Sequence, residues 1–124
     1  MSHYDTNLDK NSANFVPLTP LTFLMRAKEI YPEYEAVIYE DRKYTWAQVY
    51  KRTIKFASAL NKIGIKKGDT VSFLAFNTPE IFEGHYSVPM SGAVLNTINI
   101  RLDAKTIAYI LEHSDAKVLV VDRQ

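Results

Sequence analysis

The chain has 124 residues, of which 47% are hydrophobic and 23% are charged, and fifteen basic residues nearly balance fourteen acidic ones. This balance is typical of a globular domain, and it excludes both a disordered chain and a chain built mainly to neutralise the phosphates of nucleic acid. The lack of cysteine excludes disulfides and thiolate sites and agrees with a cytoplasmic protein, and no apolar run approaches the ~18 residues of a membrane span.

The first part of the chain predicts a lead-in, a helix and a hairpin. Residues 1–16 are polar, and we expect them to form an extended segment that lies on another part of the protein. Thr19 and Pro20 predict the start of a helix, because threonine can cap it and proline suits the first helical position. Residues 36–39 and 43–44 then predict two strands of a hairpin around a small polar loop.

The middle of the chain predicts a long amphipathic helix. Thr45 and Gln48 have the spacing of a capping box, and Gly64 suits the left-handed position after the last turn. The apolar residues between them recur at helical spacing, so we expect one face to be buried. That face consists of Trp46, Val49, Tyr50, Ile54, Ala57, Leu60 and Ile63.

The last 60 residues predict strands that alternate with helices. Apolar runs over 71–76, 93–98 and 117–121 are the strands, and Thr78 and Asp103 are typical caps for the helices between them. Gly84 and Pro89 predict a weak or kinked end for the first of these helices. A βαβαβ order predicts right-handed crossovers and parallel strands, so the fold class is α/β. For the second helix we expect an inward face of Ile107, Ala108, Ile110 and Leu111.

The sequence offers few candidates for chemistry. His85 could be a general base or the wall of a pocket, but we expect a packed helix histidine. Glu80 with Glu83, and Glu112 with Asp115, have a spacing that acid–base catalysis could use, but such pairs are more often on solvated helix faces.

The remaining patterns also favour structural roles. Lys62, Lys66 and Lys67 form a basic patch that we expect to be solvated, and His3 and His113 are too far from His85 in sequence to indicate a metal site. No glycine-rich phosphate loop and no Gly-x-Ser-x-Gly string is present. We therefore assign no catalytic, cofactor-binding or metal-binding residue.

Five stretches, taken together, carry a family resemblance. They are YTWAQV at 44–49, GIKKGDTV at 64–71, NTPE at 77–80, GAVLNTINIRLD at 92–103 and AYILEHSDAKV at 108–118. Their order and spacing resemble the amino-terminal region of the AMP-forming acyl-CoA synthetases, in the adenylate-forming (AMP-binding enzyme) superfamily. The sequences of segments 88–90 and 96–103 are most similar to the subgroup that acts on short- and medium-chain or methylthioalkanoic acids.

The resemblance implies a ligase of fatty acid and lipid metabolism. Such an enzyme joins a small carboxylic acid to CoA with ATP and Mg²⁺ and releases AMP and pyrophosphate. No stretch here matches the family's phosphate loop, acyl pocket or mobile-domain lysine. The resemblance therefore implies that 17–124 is an incomplete amino-terminal part of the AMP-binding domain, catalytically silent alone and binding none of these cofactors.

The same resemblance implies particular partners. The main partner would be the remainder of the same polypeptide, and an open sheet edge or face would make the isolated chain aggregate or form a homodimer. The alternative is a stand-alone small α/β domain that binds a protein or a small ligand without catalysis. A nucleic-acid module is the weakest hypothesis, because the net charge is only +1.

Overall fold

Four helices, a hairpin and a three-stranded sheet make up the computed structural model, which describes residues 9–123. Residues 1–8 of the predicted lead-in, including His3, and the final Gln124 lie outside the described residues. Residues 9–16 are exposed and contain a turn, in which the backbone N–H of Phe15 donates to the carbonyl of Asn11 (3.0 Å). In chain order the elements are α1 (Pro20–Ile30), β1 (Glu35–Tyr39), β2 (Arg42–Thr45), α2 (Trp46–Lys62), β3 (Thr70–Leu74), α3 (Pro79–Met90), β4 (Val94–Thr97), α4 (Ala104–His113) and β5 (Ala116–Val121).

The predicted helix starts are confirmed in position, but not every predicted capping residue makes a side-chain capping bond. Thr45 and Gln48 form both bonds of the capping box, and the Asp103 side chain accepts from the backbone N–H groups of two residues in the first turn of α4. Thr19 and Thr78 occupy the N-cap positions of α1 and α3, but neither side chain makes a capping bond. Both precede a proline, which already fixes φ and removes one unpaired N–H group, so these helices begin without that bond.

The parallel sheet confirms the predicted α/β class. Its strand order is β4-β3-β5, and both outer strands run parallel to β3, with Val71 opposite Leu95 on one side and Val118 on the other. The crossovers from β3 to β4 and from β4 to β5 run in opposite directions, so right-handed connections place α3 and α4 on opposite faces. The β3 strand ends at Leu74, two residues earlier than the sequence predicts.

The main core lies between the sheet and the layer of α2 and α3. Its buried members are Leu60, Ile65, Val71, Phe73, Val88 and Ala93. Gly84 of α3 lies against the Phe73 ring, and a Cβ at this position would be 2.8 Å from Phe73 Cζ. The helix continues through Pro89 and ends before Gly92, whose φ of +85° suits glycine. Gly84 is therefore a packing residue of a continuous helix.

The predicted inward faces of α2 and α4 are confirmed only in part. In α2, Ile54 and Ile63 are exposed, whereas Thr53 is fully buried. In α4, Ile107, Ile110 and Leu111 of the predicted inward face are half-buried, whereas Ala108 is exposed and no residue is fully buried. Among the described residues α4 packs mainly against β5, an edge strand, so its apolar face is only partly covered. No helix within 9–123 has the length and apolar character needed to cross a bilayer.

Candidate functional site

A cleft of about 560 Å³ opens beyond the carboxyl ends of β3 and β4. Ligands of open parallel sheets usually bind at this edge, because the connecting loops diverge there. We call it the strand-end cleft. Its lining includes Phe76, Asn77, Ile81, Thr97, Asn99 and Arg101.

The walls of the strand-end cleft come from two loops. After β3, residues 75–78 lead into α3, whose first turn contributes Ile81. After β4, the N–H of Ile98 still donates to the carbonyl of Phe73 (2.8 Å), and the Asn99 side chain accepts from the N–H of Arg101 (2.9 Å). The loop after β4 is thus held by hydrogen bonds at the point where it leaves the sheet.

The side chains that line the strand-end cleft can bind a ligand. Arg101 supplies a positive charge, and the amides of Asn77 and Asn99 can donate or accept hydrogen bonds. Carboxylates, imidazoles and thiols are absent from the lining, and no group of His, Cys, Asp or Glu within 9–123 is placed to hold a metal ion. The cleft can therefore hold an anionic or polar group. Asn99 and Arg101 are not among the candidates predicted from the sequence, although their place just after a predicted strand is a usable signal.

A second groove runs along α3 next to the strand-end cleft. It measures about 440 Å³ and is lined by Asn77, Thr78, Ile81, Phe82, His85 and Tyr86. His85 is exposed, so the expectation of a packed histidine is wrong, and the residue forms a wall instead. Its Nδ1 lies 2.8 Å from the carbonyl oxygen of Ile81. Since a carbonyl only accepts, this contact is a hydrogen bond when Nδ1 carries the proton.

Glu80 and Glu83 of α3 are held by two arginines, and we call these four residues the arginine–glutamate cluster. Glu83 is only 6% exposed and accepts a hydrogen bond from Nε of Arg52 in α2, so its expected solvated position is wrong. Glu80 accepts from Arg42 of β2 (2.7 Å). Partial burial acts to raise the pKa of Glu80, but hydrogen bonds from Arg42, from its own backbone N–H and from the Thr78 hydroxyl outweigh it, so the pKa lies below its ordinary value.

A third cleft, of about 420 Å³, lies between the arginine–glutamate cluster and the sheet. Its floor is apolar and consists of Phe56, Phe73 and Val120. Arg52 and Glu83 at its rim already bind each other. Phe73 and Val120 are next to last in β3 and β5, so this cleft also lies near the carboxyl ends of strands, but its rim charges already bind each other, which makes it a weaker candidate for a substrate site.

The other charged candidates are solvated, as expected. Glu112 and Asp115 are exposed, and Asp115 forms an ion pair with Lys117 at 2.8 Å. Lys62, Lys66 and Lys67 are exposed as well. The structure therefore brings none of these residues into a cleft described above.

Comparison with known proteins gives a family match and several close relatives. The model of the family described as "AMP-binding enzyme" matches residues 24–124. The trans-cinnamate:CoA ligase of Petunia hybrida is 55% identical over 115 residues, and a butyrate–CoA ligase of Arabidopsis thaliana is 53% identical over 116. These matches cover 93% and 94% of this chain but only 20% of each relative, so the chain spans about a fifth of their length.

Solved structures share the fold. The O-succinylbenzoate CoA synthetase of Bacillus subtilis in complex with AMP matches with a TM-score of 0.77 and 28% identity, over 82% of this chain and 26% of that one. The amino-terminal subdomain of NpsA from Klebsiella oxytoca matches with a TM-score of 0.77 and 22% identity, over 84% of this chain and 27% of that one. The second match concerns the fold alone.

Proposed function

The chain belongs to the AMP-binding enzyme family, and from this premise we propose that it is the amino-terminal part of an AMP-forming acid–CoA ligase. The reaction would convert a carboxylic acid, ATP and CoA into acyl-CoA, AMP and pyrophosphate. The observation that carries the proposal is the similarity to CoA ligases at 50–55% identity over nearly the whole chain.

The described residues take a supporting part in this reaction. They contain no glycine-rich loop to hold phosphates and no acidic group placed to hold a metal ion. ATP and Mg²⁺ therefore do not fit the residues of 9–123, and we assign their binding, with the catalytic residues, to the remainder of the polypeptide. The chain alone would be catalytically silent.

The strand-end cleft would form one wall of the substrate site. Its position at the carboxyl ends of parallel strands supports this assignment, and so does its positive Arg101 beside two asparagine amides. A guanidinium paired with an anion forms strong, directional hydrogen bonds. We therefore assign to Arg101 a contact with a negatively charged part of one substrate.

The acid would be small. Relatives are named for trans-cinnamate, butyrate, acetate and benzoate, which are all monocarboxylic acids of modest size. A short- or medium-chain fatty acid remains our proposal for this protein. A cytoplasmic location is also proposed from the lack of cysteine, with the peroxisome as the alternative that the names of the petunia and Arabidopsis relatives suggest.

The proposal is tested on the full-length protein by ATP–pyrophosphate exchange with acetate, butyrate, cinnamate and benzoate, followed by detection of acyl-CoA and AMP. We expect exchange with at least one acid without CoA, and thioester formation only with CoA. The 124-residue chain alone should give neither signal. Absence of exchange in full-length protein with all four acids would contradict the proposal and favour a stand-alone binding domain.

A further inference from the structure

The start of α3 is held by side chains from two other elements. The Thr78 side chain makes no capping bond to the backbone N–H groups of this helix start. Glu80 instead accepts a hydrogen bond from Arg42 of β2 and lies 3.7 Å from a terminal nitrogen of Arg52 in α2. Three residues later, Glu83 accepts from Nε of the same Arg52. Two guanidinium groups thus hold both carboxylates of this segment.

The two guanidinium groups are oriented by tyrosines of the hairpin. Arg42 lies over the Tyr39 ring at 5.1 Å, and Arg52 lies over the Tyr44 ring at 4.7 Å. Cations are attracted to the faces of aromatic rings at these distances. The hairpin therefore helps to set the direction in which each arginine reaches α3.

The burial of Glu83 limits the positions that α3 can take. Glu83 is 6% exposed, and its charge would lack compensation there without Arg52. An unpaired buried charge is strongly unfavourable, so the buried carboxylate favours the position of α3 in which Glu83 meets the guanidinium of Arg52. Since a helix moves as a rigid unit, Ile81, which lies between Glu80 and Glu83, is held in place with them.

Ile81 connects the arginine–glutamate cluster to the strand-end cleft. It lines both this cleft and the neighbouring groove, as does Asn77 just before α3. We propose that Arg42 and Arg52 are positioning residues for the strand-end cleft, which act through Glu80 and Glu83 on Ile81 and Asn77. This inference rests on the proposed function, because it takes a ligase substrate as the ligand of the cleft.

The two arginines differ in what can replace them. Arg42 reaches Glu80 with a single nitrogen, so lysine can make an equivalent contact. Arg52 contacts Glu83 and Glu80 with two different nitrogens, and lysine cannot reproduce that fork. The Arg42 side chain is also 42% exposed, so its replacement leaves the buried pair intact.

The first experiment measures KM and kcat of the full-length protein for the acid, ATP and CoA in turn. Arg42→Gln should raise KM for one substrate roughly fivefold and change kcat by less than about twofold, because positioning is lost while the reacting groups remain. Arg42→Lys should restore KM. The matched control is Lys43→Gln, which removes an ion pair with Glu35 in the same hairpin and should leave all values unchanged.

Several outcomes of this experiment would overturn the inference. These are unchanged KM values for all three substrates in Arg42→Gln, the same increase in Lys43→Gln, and failure of Arg42→Lys to restore the value. A fall in kcat alone would also contradict it, since the arginines would then act on the reacting groups.

A second experiment does not depend on activity. In Arg52→Met, hydrogen exchange of the backbone amides over 82–86 should accelerate about tenfold, and in Arg42→Gln, which breaks a partly exposed ion pair, about twofold, while amides over 107–111 of α4 keep their rates. Unchanged exchange over 82–86 would overturn the positioning role. If the wild-type protein shows no ligase activity, the proposed function fails, and this measurement still decides whether the arginines hold α3.

Discussion

Gly84 lies so close to Phe73 that a Cβ on the glycine would be 2.8 Å from Cζ of the ring. Phe73 is 1% exposed and also packs edge-to-face on Phe56, with ring centroids 6.0 Å apart. The ring therefore has little room to move. This contact fixes the distance between α3 and the central strand.

The first prediction is that Gly84→Ala destabilises the protein, by about 1–3 kcal/mol, because overpacking a core is costly. An intrinsic gain of about 1 kcal/mol from replacing glycine within a helix opposes this cost but does not remove it. Thermal melting of the protein that carries this chain measures the change. Adding Phe73→Leu to Gly84→Ala should recover part of the loss, since the smaller side chain makes space. A double variant no better than the sum of the two single changes would contradict the contact.

Thr53 gives a prediction of opposite sign. Its side chain is fully buried, and its hydroxyl has no hydrogen-bond partner. Thr53→Val keeps the size and removes an unsatisfied polar group, so we expect stabilisation of about 1 kcal/mol. Thr22→Val is the control: that hydroxyl donates to the Thr19 carbonyl at 2.7 Å, and its loss should not stabilise. A lower melting temperature for Thr53→Val would show that the hydroxyl has a partner in solution.

The two kinds of helix start can be separated by alanine substitution. Thr45→Ala removes the capping bond to the Gln48 N–H and should cost about 1 kcal/mol. Thr19→Ala should cost much less, because Thr19 makes no such bond and Pro20 already fixes the first helical residue. Equal losses of melting temperature in the two variants would contradict this difference.

Glu80 predicts a pH dependence. Its folded pKa lies below the ordinary value of 4.5, so its ionised form contributes stability above that value, and the contribution is lost as the pH falls through the lower folded pKa. Glu80→Gln should thus lower the melting temperature at neutral pH, and the difference from wild type should shrink as the pH falls below 4.5. The effect is small because Glu80 is partly exposed. A difference that grows on acidification would refute the assignment.

Arg101 tests the strand-end cleft directly. Arg101→Gln removes the positive charge but keeps a hydrogen-bonding side chain, and it should raise KM for one anionic substrate of the full-length protein roughly tenfold. Lys105→Gln, which removes an exposed charge from α4, serves as the matched control. If both variants raise KM equally, the effect comes from overall charge and the cleft is not the site.

Most of the element order could be predicted from the sequence, because neighbours in the chain decide it. Thr45 with Gln48, Asp103 before α4, and Gly64 and Gly92 after α2 and α3 each act within one turn of a helix end. The alternation of strands and helices then gives the parallel sheet, since the handedness of the crossovers is nearly invariant.

Contacts between distant residues were decided by the tertiary structure alone. From the sequence, Gly84 predicts a weak helix, whereas in the structure it packs against the ring of Phe73. Glu83 predicts a solvated helix face, whereas in the structure it is buried and paired with Arg52 of another helix. The partly covered apolar face of α4 is a similar case, because its apolar spacing does not say what covers it.

The strand-end cleft is also formed by residues that are far apart in the sequence. Asn77 and Arg101 lie on different loops, and they line one cleft because two parallel strands end at the same edge of the sheet. The sequence by itself therefore determined the local elements, because their capping bonds and apolar spacing act over a few residues. It also determined the family resemblance, which rests on short stretches of sequence. Only the tertiary structure decided which side chains share a cleft or a buried ion pair, because those energies depend on the packing of elements that are far apart in the chain.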